Sequence, residues 1–217
     1  MKEKDLLNIV NPLYVYDSER IISQYNRLTN AFSSVKNLKL NYAAKALSNI
    51  TILRLMNSLG SGLDTVSIQE VKLGLLAGFK PESIIFTPNG VSLEEIEEAS
   101  ALGVRINIDV FLYASEILFE TAKNFKNLDF IDFGSGFKVP YKEGDIETNV
   151  EELGNKLSTR FNDFCKDYGK ELTLAFEPGK FLVSEAGYFL AKVNVVKQTT
   201  STVFASVDSG FNHLIRP

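Results

Sequence analysis

The sequence predicts an α/β protein whose strands run parallel and are joined by helical crossovers. Three observations predict it. Short apolar runs of strand length alternate with segments of helical periodicity from Leu38 to Phe176. Helix boundaries recur: Ser67-Ile68-Gln69-Glu70 and Ser92-Leu93-Glu94-Glu95 read as capping boxes, and Gly60, Gly78 and Gly103 stand where helices should stop. Breaks rich in glycine and proline, Gly134-Ser135-Gly136 and Glu177-Pro178-Gly179, follow the last two strands of the series. Strand, helix and strand in regular alternation require parallel pairing.

The elements follow in order. Leu13 to Tyr16 reads as a short strand, and Asp17 or Ser18 can cap a helix whose buried stripe is Ile21, Tyr25, Leu28 and Phe32. Leu38 to Lys45 is the next strand. Ser48 is the expected cap of a helix carrying Ile52, Leu55, Met56 and Leu59. Gly62–Val66, Ser83–Thr87 and Val104–Ile108 are strands, with helices from the two capping boxes between them. A helix through Tyr113, Ile117, Phe119 and Ala122 leads to a strand at Leu128–Phe133. A long helix through Val150, Leu157, Phe161 and Phe164 leads to the strand Leu172–Phe176. The tail changes character. Tyr188–Gln198 and Thr202–Val207 are rich in valine, threonine and phenylalanine and read as the start of a β domain.

Composition narrows the function. The chain has 217 residues, 45% of them hydrophobic, enough to bury a core of one domain or one and a part. A net charge of −4 argues against nucleic acid as a partner. No run of 18 apolar residues suggests a membrane span, and Met1-Lys2-Glu3-Lys4-Asp5 lacks the apolar core of a signal peptide. A single cysteine, Cys165, excludes an internal disulfide and fits a cytoplasmic setting; with one histidine beside it, no metal site is expected. Glu94, Glu95, Glu97 and Glu98 read as a solvated helix face, and His213 as a surface or hinge residue.

In parallel α/β architectures the C-terminal strand ends carry the site. Lys45, Asp64, Asn89, the Gly134–Gly136 loop and Glu177-Pro178-Gly179-Lys180 all fall there. Lys45 follows a strand and is flanked by Ala43, Ala44 and Ala46, so partial desolvation could lower its pKa and free the amine to attack a carbonyl. An ordinary strand-edge lysine is the simpler reading of that segment alone. Glycine loops after strands let backbone N–H groups approach a phosphate. A phosphate site facing a Schiff-base lysine suggests pyridoxal phosphate, whose pyridine nitrogen an acid such as Glu177 would keep protonated.

Taken together, Tyr42-Ala43-Ala44-Lys45-Ala46, Gly62-Leu63-Asp64-Thr65-Val66-Ser67, Phe86-Thr87-Pro88-Asn89, Gly134-Ser135-Gly136-Phe137, Glu177-Pro178-Gly179-Lys180 and Val207-Asp208-Ser209-Gly210-Phe211-Asn212 occur in the order that resembles the fold-type III pyridoxal phosphate decarboxylases. Within that family they look most like the diaminopimelate decarboxylases. The resemblance covers nearly the whole chain. It implies a pyridoxal phosphate-binding (β/α)8 TIM-type barrel over residues 36–182, a preceding strand and helix in 1–35, and the beginning of a C-terminal β domain in 183–217. It implies decarboxylation of an amino acid, meso-diaminopimelate to lysine, in a cytoplasmic homodimer that binds neither nucleic acid nor membrane. It implies that Lys45 carries the cofactor. Gly134, Ser135, Gly136 and backbone groups near Gly179 would bind its phosphate, and Glu177 would face its pyridine nitrogen. Asp64 would set the surroundings of the lysine. Lys180 stands where the family has arginine, which keeps the charge but loses the bidentate fork. Lys180 and Arg216 would meet the substrate carboxylates.

The chain also departs from the family. A (β/α)8 barrel needs about 250 residues, and the stretch from Leu38 to Lys180 falls short by on the order of 100. Six strands are expected instead of eight, with the join near Ile108-Asp109-Val110-Phe111. A histidine that the family stacks on the cofactor ring has no counterpart, nor do the C-terminal cysteine and tyrosine that complete its site across the dimer. The 217-residue polypeptide made alone is therefore expected to be inactive and aggregation-prone. Two alternatives remain at this point: a non-enzymatic barrel that buffers pyridoxal phosphate, and an open doubly wound sheet in which Lys45 is structural. Ornithine, arginine and carboxynorspermidine decarboxylases share the same lysine and glycine loops.

Overall fold

The computed structural model describes residues 12–87, 92–106, 119, 122–210 and 213. They separate into two units, one containing Glu19–Glu185 and the other containing the flanking segments on either side.

The larger unit is built on a six-stranded, wholly parallel sheet. Its strands are β2 (Leu38–Ala43), β3 (Gly62–Thr65), β4 (Ile84–Phe86), β5 (Arg105–Ile106), β6 (Phe130–Asp132) and β7 (Thr173–Phe176). Their order across the sheet is β5-β4-β3-β2-β7-β6. The last strand therefore pairs with the first, Leu38 opposite Leu174 and Leu40 opposite Phe176. A doubly wound sheet grows outward from its first strand and never makes that pair; a closed barrel must. The β2–β7 pair is the closing seam of a barrel, and the free edges are β5 and β6. Among the described residues the sheet has six strands, as expected, and the pair that would complete an eight-stranded barrel belongs between those two edges.

Helices cover one face of this curled sheet. They are α1 (Ser18–Ala31), α2 (Ile50–Ser58), α3 (Ile68–Ala77), α4 (Leu93–Ala101), α5 (Val150–Tyr168) and the single turn α6 (Lys180–Val183). Both segments start helices, but only the second is a full capping box: Ser67 accepts from the Glu70 N–H while the Glu70 carboxylate accepts from the Val66 N–H, and Ser92 and Glu95 satisfy each other's backbone N–H groups. The cap of α2 is Asn49, whose Oδ1 accepts from the Thr51 N–H at 2.9 Å, and not Ser48. Asparagine caps as well as serine, and the helix starts one residue later than its periodicity suggested. The turn α6 was not foreseen, because the proline and glycine before it read only as a strand break. Of the expected strand Val104–Ile108, Arg105–Ile106 is strand and 107–108 lie outside the described residues, as does the expected helix through Tyr113 and Ile117 except for Phe119 and Ala122, both buried and helical.

Side chains that alternate toward the helices form the core. Leu40, Tyr42, Leu63, Ile84, Phe86 and Leu174 are buried there, each stabilising by roughly 1.5–3 kcal/mol. Phe32 meets Phe176 with ring centroids 4.7 Å apart. The helices α1 and α5 touch at backbone level: a Cβ on Gly154 would lie 2.0 Å from the Ala31 carbonyl oxygen. Arg27 of α1 adds hydrogen bonds to Glu151 and Glu147, each 2.7 Å. Gly154→Ala is expected to lower stability by about 3 kcal/mol, because the obstacle is backbone and cannot swing away. Urea unfolding reads this directly, and an unchanged midpoint would contradict the packing.

The second unit pairs β1 (Leu13–Tyr16) antiparallel with β8 (Gly187–Leu190), where the Tyr14 and Phe189 rings meet tilted at 42° with centroids 4.9 Å apart. A separate hairpin joins β9 (Val193–Gln198) to β10 (Val203–Val207), and every residue of both strands is exposed. His213 is exposed and its carbonyl accepts from the Tyr14 hydroxyl. Among the described residues no helix is long and apolar enough to cross a membrane, and no cluster of metal-ligating side chains occurs.

Candidate active site on the concave face of the sheet

The face of the sheet turned away from the helices is the candidate site. Its orientation follows from packing. A Cβ on Gly74 of α3 would meet Leu63 at 2.4 Å and Ile84 at 3.2 Å, so those side chains face the helices. Their neighbours Gly62, Asp64 and Ile85 therefore face the other way. In a parallel sheet, residues in register share a face, so rows of side chains can be followed from strand to strand.

Three rows matter. The lowest joins Asp132, Ala175 and Lys39. The next joins Asn41 with Gly62. On the other side of Asn41 the β2–β7 register runs on to Glu177, and the Ala43 N–H donating to the Pro178 carbonyl at 3.2 Å keeps that alignment. Glu177 in turn donates its backbone N–H to the Gly134 carbonyl at 2.7 Å. The middle row thus reads Gly134, Glu177, Asn41, Gly62. The top row contains Ala43, Asp64, Ile85 and Arg105. A barrel interior is usually filled by layers of branched apolar side chains. Here acids, a lysine and an amide take their place.

Asp64 is 1% exposed, and Thr87 Oγ1 donates to its Oδ1 at 3.1 Å. Glu177 is 7% exposed at the end of β7. Lys39 is half buried; burial pulls its ammonium below the ordinary lysine range, Arg105 pulls further, and Asp132 opposes both. Beyond β6 the chain turns through Gly134 (φ +63°) and Gly136 (φ +140°), values that L side chains rarely adopt. Asp132 Oδ1 accepts from the Gly134 N–H at 2.8 Å.

Lys45 stands on a 3₁₀ turn, Ala44–Ala46, directly past β2. The expected partial desolvation is not found: Lys45 is exposed, although Ala43 and Ala44 are buried. The physical reason is local. The strand ends at Ala43, so the alternation that would have turned Lys45 toward the concave face stops two residues early. Lys180 is also exposed, with its ammonium 5.8 Å from the centre of the Tyr141 ring. Asn89 and Arg216 lie outside the described residues. Lys45, Asp64, Gly134 to Gly136, Glu177, Gly179 and Lys180 all occur at the C-terminal ends of the parallel strands or in the turns just past them. Sequence reasoning passed over Lys39, Asn41, Thr87 and Asp132. Period-2 alternation already puts Asn41 on the face of Ala43 and Lys45, but it assigns the amide no role.

Comparison with known proteins decides the family. The profile described as the pyridoxal-dependent decarboxylase, pyridoxal binding domain, matches residues 18–118 and 109–184. This chain belongs to that family. The decarboxylase profile comes in two pieces that overlap at 109–118, between β5 and β6 in the chain. The diaminopimelate decarboxylase of Methanothermobacter thermautotrophicus is 28% identical over 292 positions, covering 95% of this chain and 68% of the relative. About 86 of those positions therefore have no counterpart here. The Escherichia coli K12 diaminopimelate decarboxylase is 24% identical, over 95% of this chain and 67% of the relative. Among solved structures, the diaminopimelate decarboxylase of M. jannaschii in complex with L-lysine superposes with a TM-score of 0.85 at 21% identity, covering 99% of this chain and 71% of that one. The Helicobacter pylori enzyme complexed with L-lysine gives 0.76 at 22% identity, covering 97% and 73%. These likenesses agree with the barrel read from strand order.

Pyridoxal phosphate is the cofactor of this decarboxylase family, and the concave face fits it. A Cβ on Gly136 would meet nothing within 4 Å, and one on Gly134 would come only to 4.0 Å of Glu177 Oε2, so the loop leaves space beside a buried carboxylate. Gly179, by contrast, is closed in: a Cβ there would lie 3.0 Å from Ala46 and 3.3 Å from Ala43. Only glycine lets the β7 loop approach the Lys45 turn that closely.

Proposed function

We propose that this chain carries the cofactor-binding half of a decarboxylase acting on meso-diaminopimelate. The observation that supports this most is the middle row. It sets an open glycine loop, a buried acid and the strand leading to Lys45 side by side at one end of a barrel. Lys45 binds the cofactor covalently through its ε-amine. Its place on an exposed turn would keep the attachment point within reach of a substrate. Glu177 faces the pyridine nitrogen and holds its proton. Ser135, Gly136 and backbone groups near Gly179 bind the phosphate. The Gly134 N–H already has Asp132 as its acceptor, which makes Gly134 a source of space more than a donor. Asp64, held by Thr87, sets the charge beside the Lys45 turn. Lys180 and Arg216 attract substrate carboxylates. Bound pyridoxal phosphate supplies an electron sink for the pair released when the bond to the carboxylate breaks. The complete enzyme is a cytoplasmic homodimer in this reading.

The substrate follows from relatives named for diaminopimelate decarboxylation. Carbon dioxide release from meso-diaminopimelate, ornithine and arginine tests it, in protein with the missing strands restored. Release from diaminopimelate alone is expected. Release from ornithine at an equal rate would move the chain to another branch of the family.

A further inference from the structure

Asn41 is the least explained residue of the concave face. Its side chain is 0% exposed, and neither its Oδ1 nor its Nδ2 has a hydrogen-bond partner. A buried amide with both ends unpaired is costly, and native proteins keep such groups when something outside the chain satisfies them. The direction of the amide is known. Oδ1 sits where a Gly62 side chain would begin, 2.1 Å from a Cβ built there, so the amide occupies the concave face. The same register row carries Glu177 on the neighbouring strand and Gly134 beyond it.

We propose that the Asn41 carboxamide is a contact for bound pyridoxal phosphate, hydrogen-bonding the edge of its heteroaromatic ring beside Glu177. The inference rests on the cofactor reading above. Strand order supports the ring and not the phosphate as the partner. The glycine loop follows β6, with Glu177 at the end of β7 between it and the amide, and Gly179 packs against Ala43 and Ala46, nearer the strand end than Asn41, which is level with Glu177. An amide suits this position because it offers a donor and an acceptor without a charge. An aspartate there would compete with Glu177 for the ring N–H, and a lysine would pair with Glu177 itself.

The test compares wild type with Asn41→Leu in soluble protein, reading two quantities. One is the thermal midpoint without cofactor. The other is affinity for pyridoxal phosphate by absorbance titration. Asn41→Leu deletes two unpaired buried polar atoms, so its cofactor-free midpoint should be no lower than that of wild type. Its affinity should fall about tenfold, which corresponds to about 1.4 kcal/mol. Asn41→Ala, which cannot overpack against Gly62, should lose affinity equally. Pyridoxal without the phosphate should show the same factor. Unchanged affinity in both variants would overturn the inference and leave the amide to buried water. A factor seen only with the phosphate ester would overturn it too, by placing the amide at the phosphate. Weaker binding with a lower midpoint in both variants would mean a structural role, which also overturns it. Wild type that fails to bind pyridoxal phosphate would sink the cofactor reading itself, and this inference with it.

Discussion

A protein with two strand–helix units restored between β5 and β6, and with the C-terminal residues that the family uses to complete its site, is expected to be monodisperse and to turn over substrate, whereas the 217-residue chain is expected to self-associate and to show no turnover. The reason is the sheet edge. A closed barrel has no free edge, but among the described residues this sheet has two, β5 and β6, and a sheet edge presents unpaired backbone N–H and C=O groups. Phe130 on β6 is 41% exposed on the concave side, where a closed barrel would cover it. All-parallel sheets occur almost only with both faces covered. The candidate site is affected as well: among the described residues six strand ends frame it, where a complete barrel provides eight. Light scattering after size-exclusion chromatography, with a carbon dioxide assay beside it, reads both effects. A monodisperse 217-residue protein that turns over would contradict the account.

Replacing Lys45 with alanine, in the strand-restored protein, is expected to lower decarboxylation by on the order of 10³-fold or more and to abolish covalent cofactor attachment. The loss should be in turnover and not only in affinity, since the proposed phosphate and ring contacts are other residues, which Lys45→Ala leaves in place. Thermal stability should hardly change. Lys45 is exposed on a one-turn 3₁₀ helix, so alanine leaves no cavity and no unpaired buried group. Lys39→Met is the control. Lys39 is half buried on the same strand, one row below Asn41, and its loss should leave the covalent attachment intact.

Much of the fold was legible in the sequence, for identifiable reasons. The capping serines Ser67 and Ser92 each sit three residues before a glutamate, and the glycines past α3 and α4 stand at their stops. Those are local signals that tertiary packing had no cause to override. The closing β2–β7 pair was not local. It joins residues 136 positions apart, Leu38 to Leu174, and only the family resemblance anticipated it. In the site, residues with distinctive chemistry or turn-forming glycine stood out: Lys45, Glu177 and the Gly134–Gly136 loop. Asn41 did not, because an asparagine inside a strand carries no motif. Its meaning comes from having no partner once the row is assembled. The environment of Lys45 was misjudged because strand alternation was carried past the point where β2 ends.

The most direct test of the central claim is chemical. Soluble protein incubated with pyridoxal phosphate is reduced with borohydride, digested, and its peptides weighed. The account predicts one pyridoxyl group, on the peptide containing Lys45, and none after Lys45→Ala. No added mass, or mass spread over surface lysines with Lys45 unmarked, would contradict it.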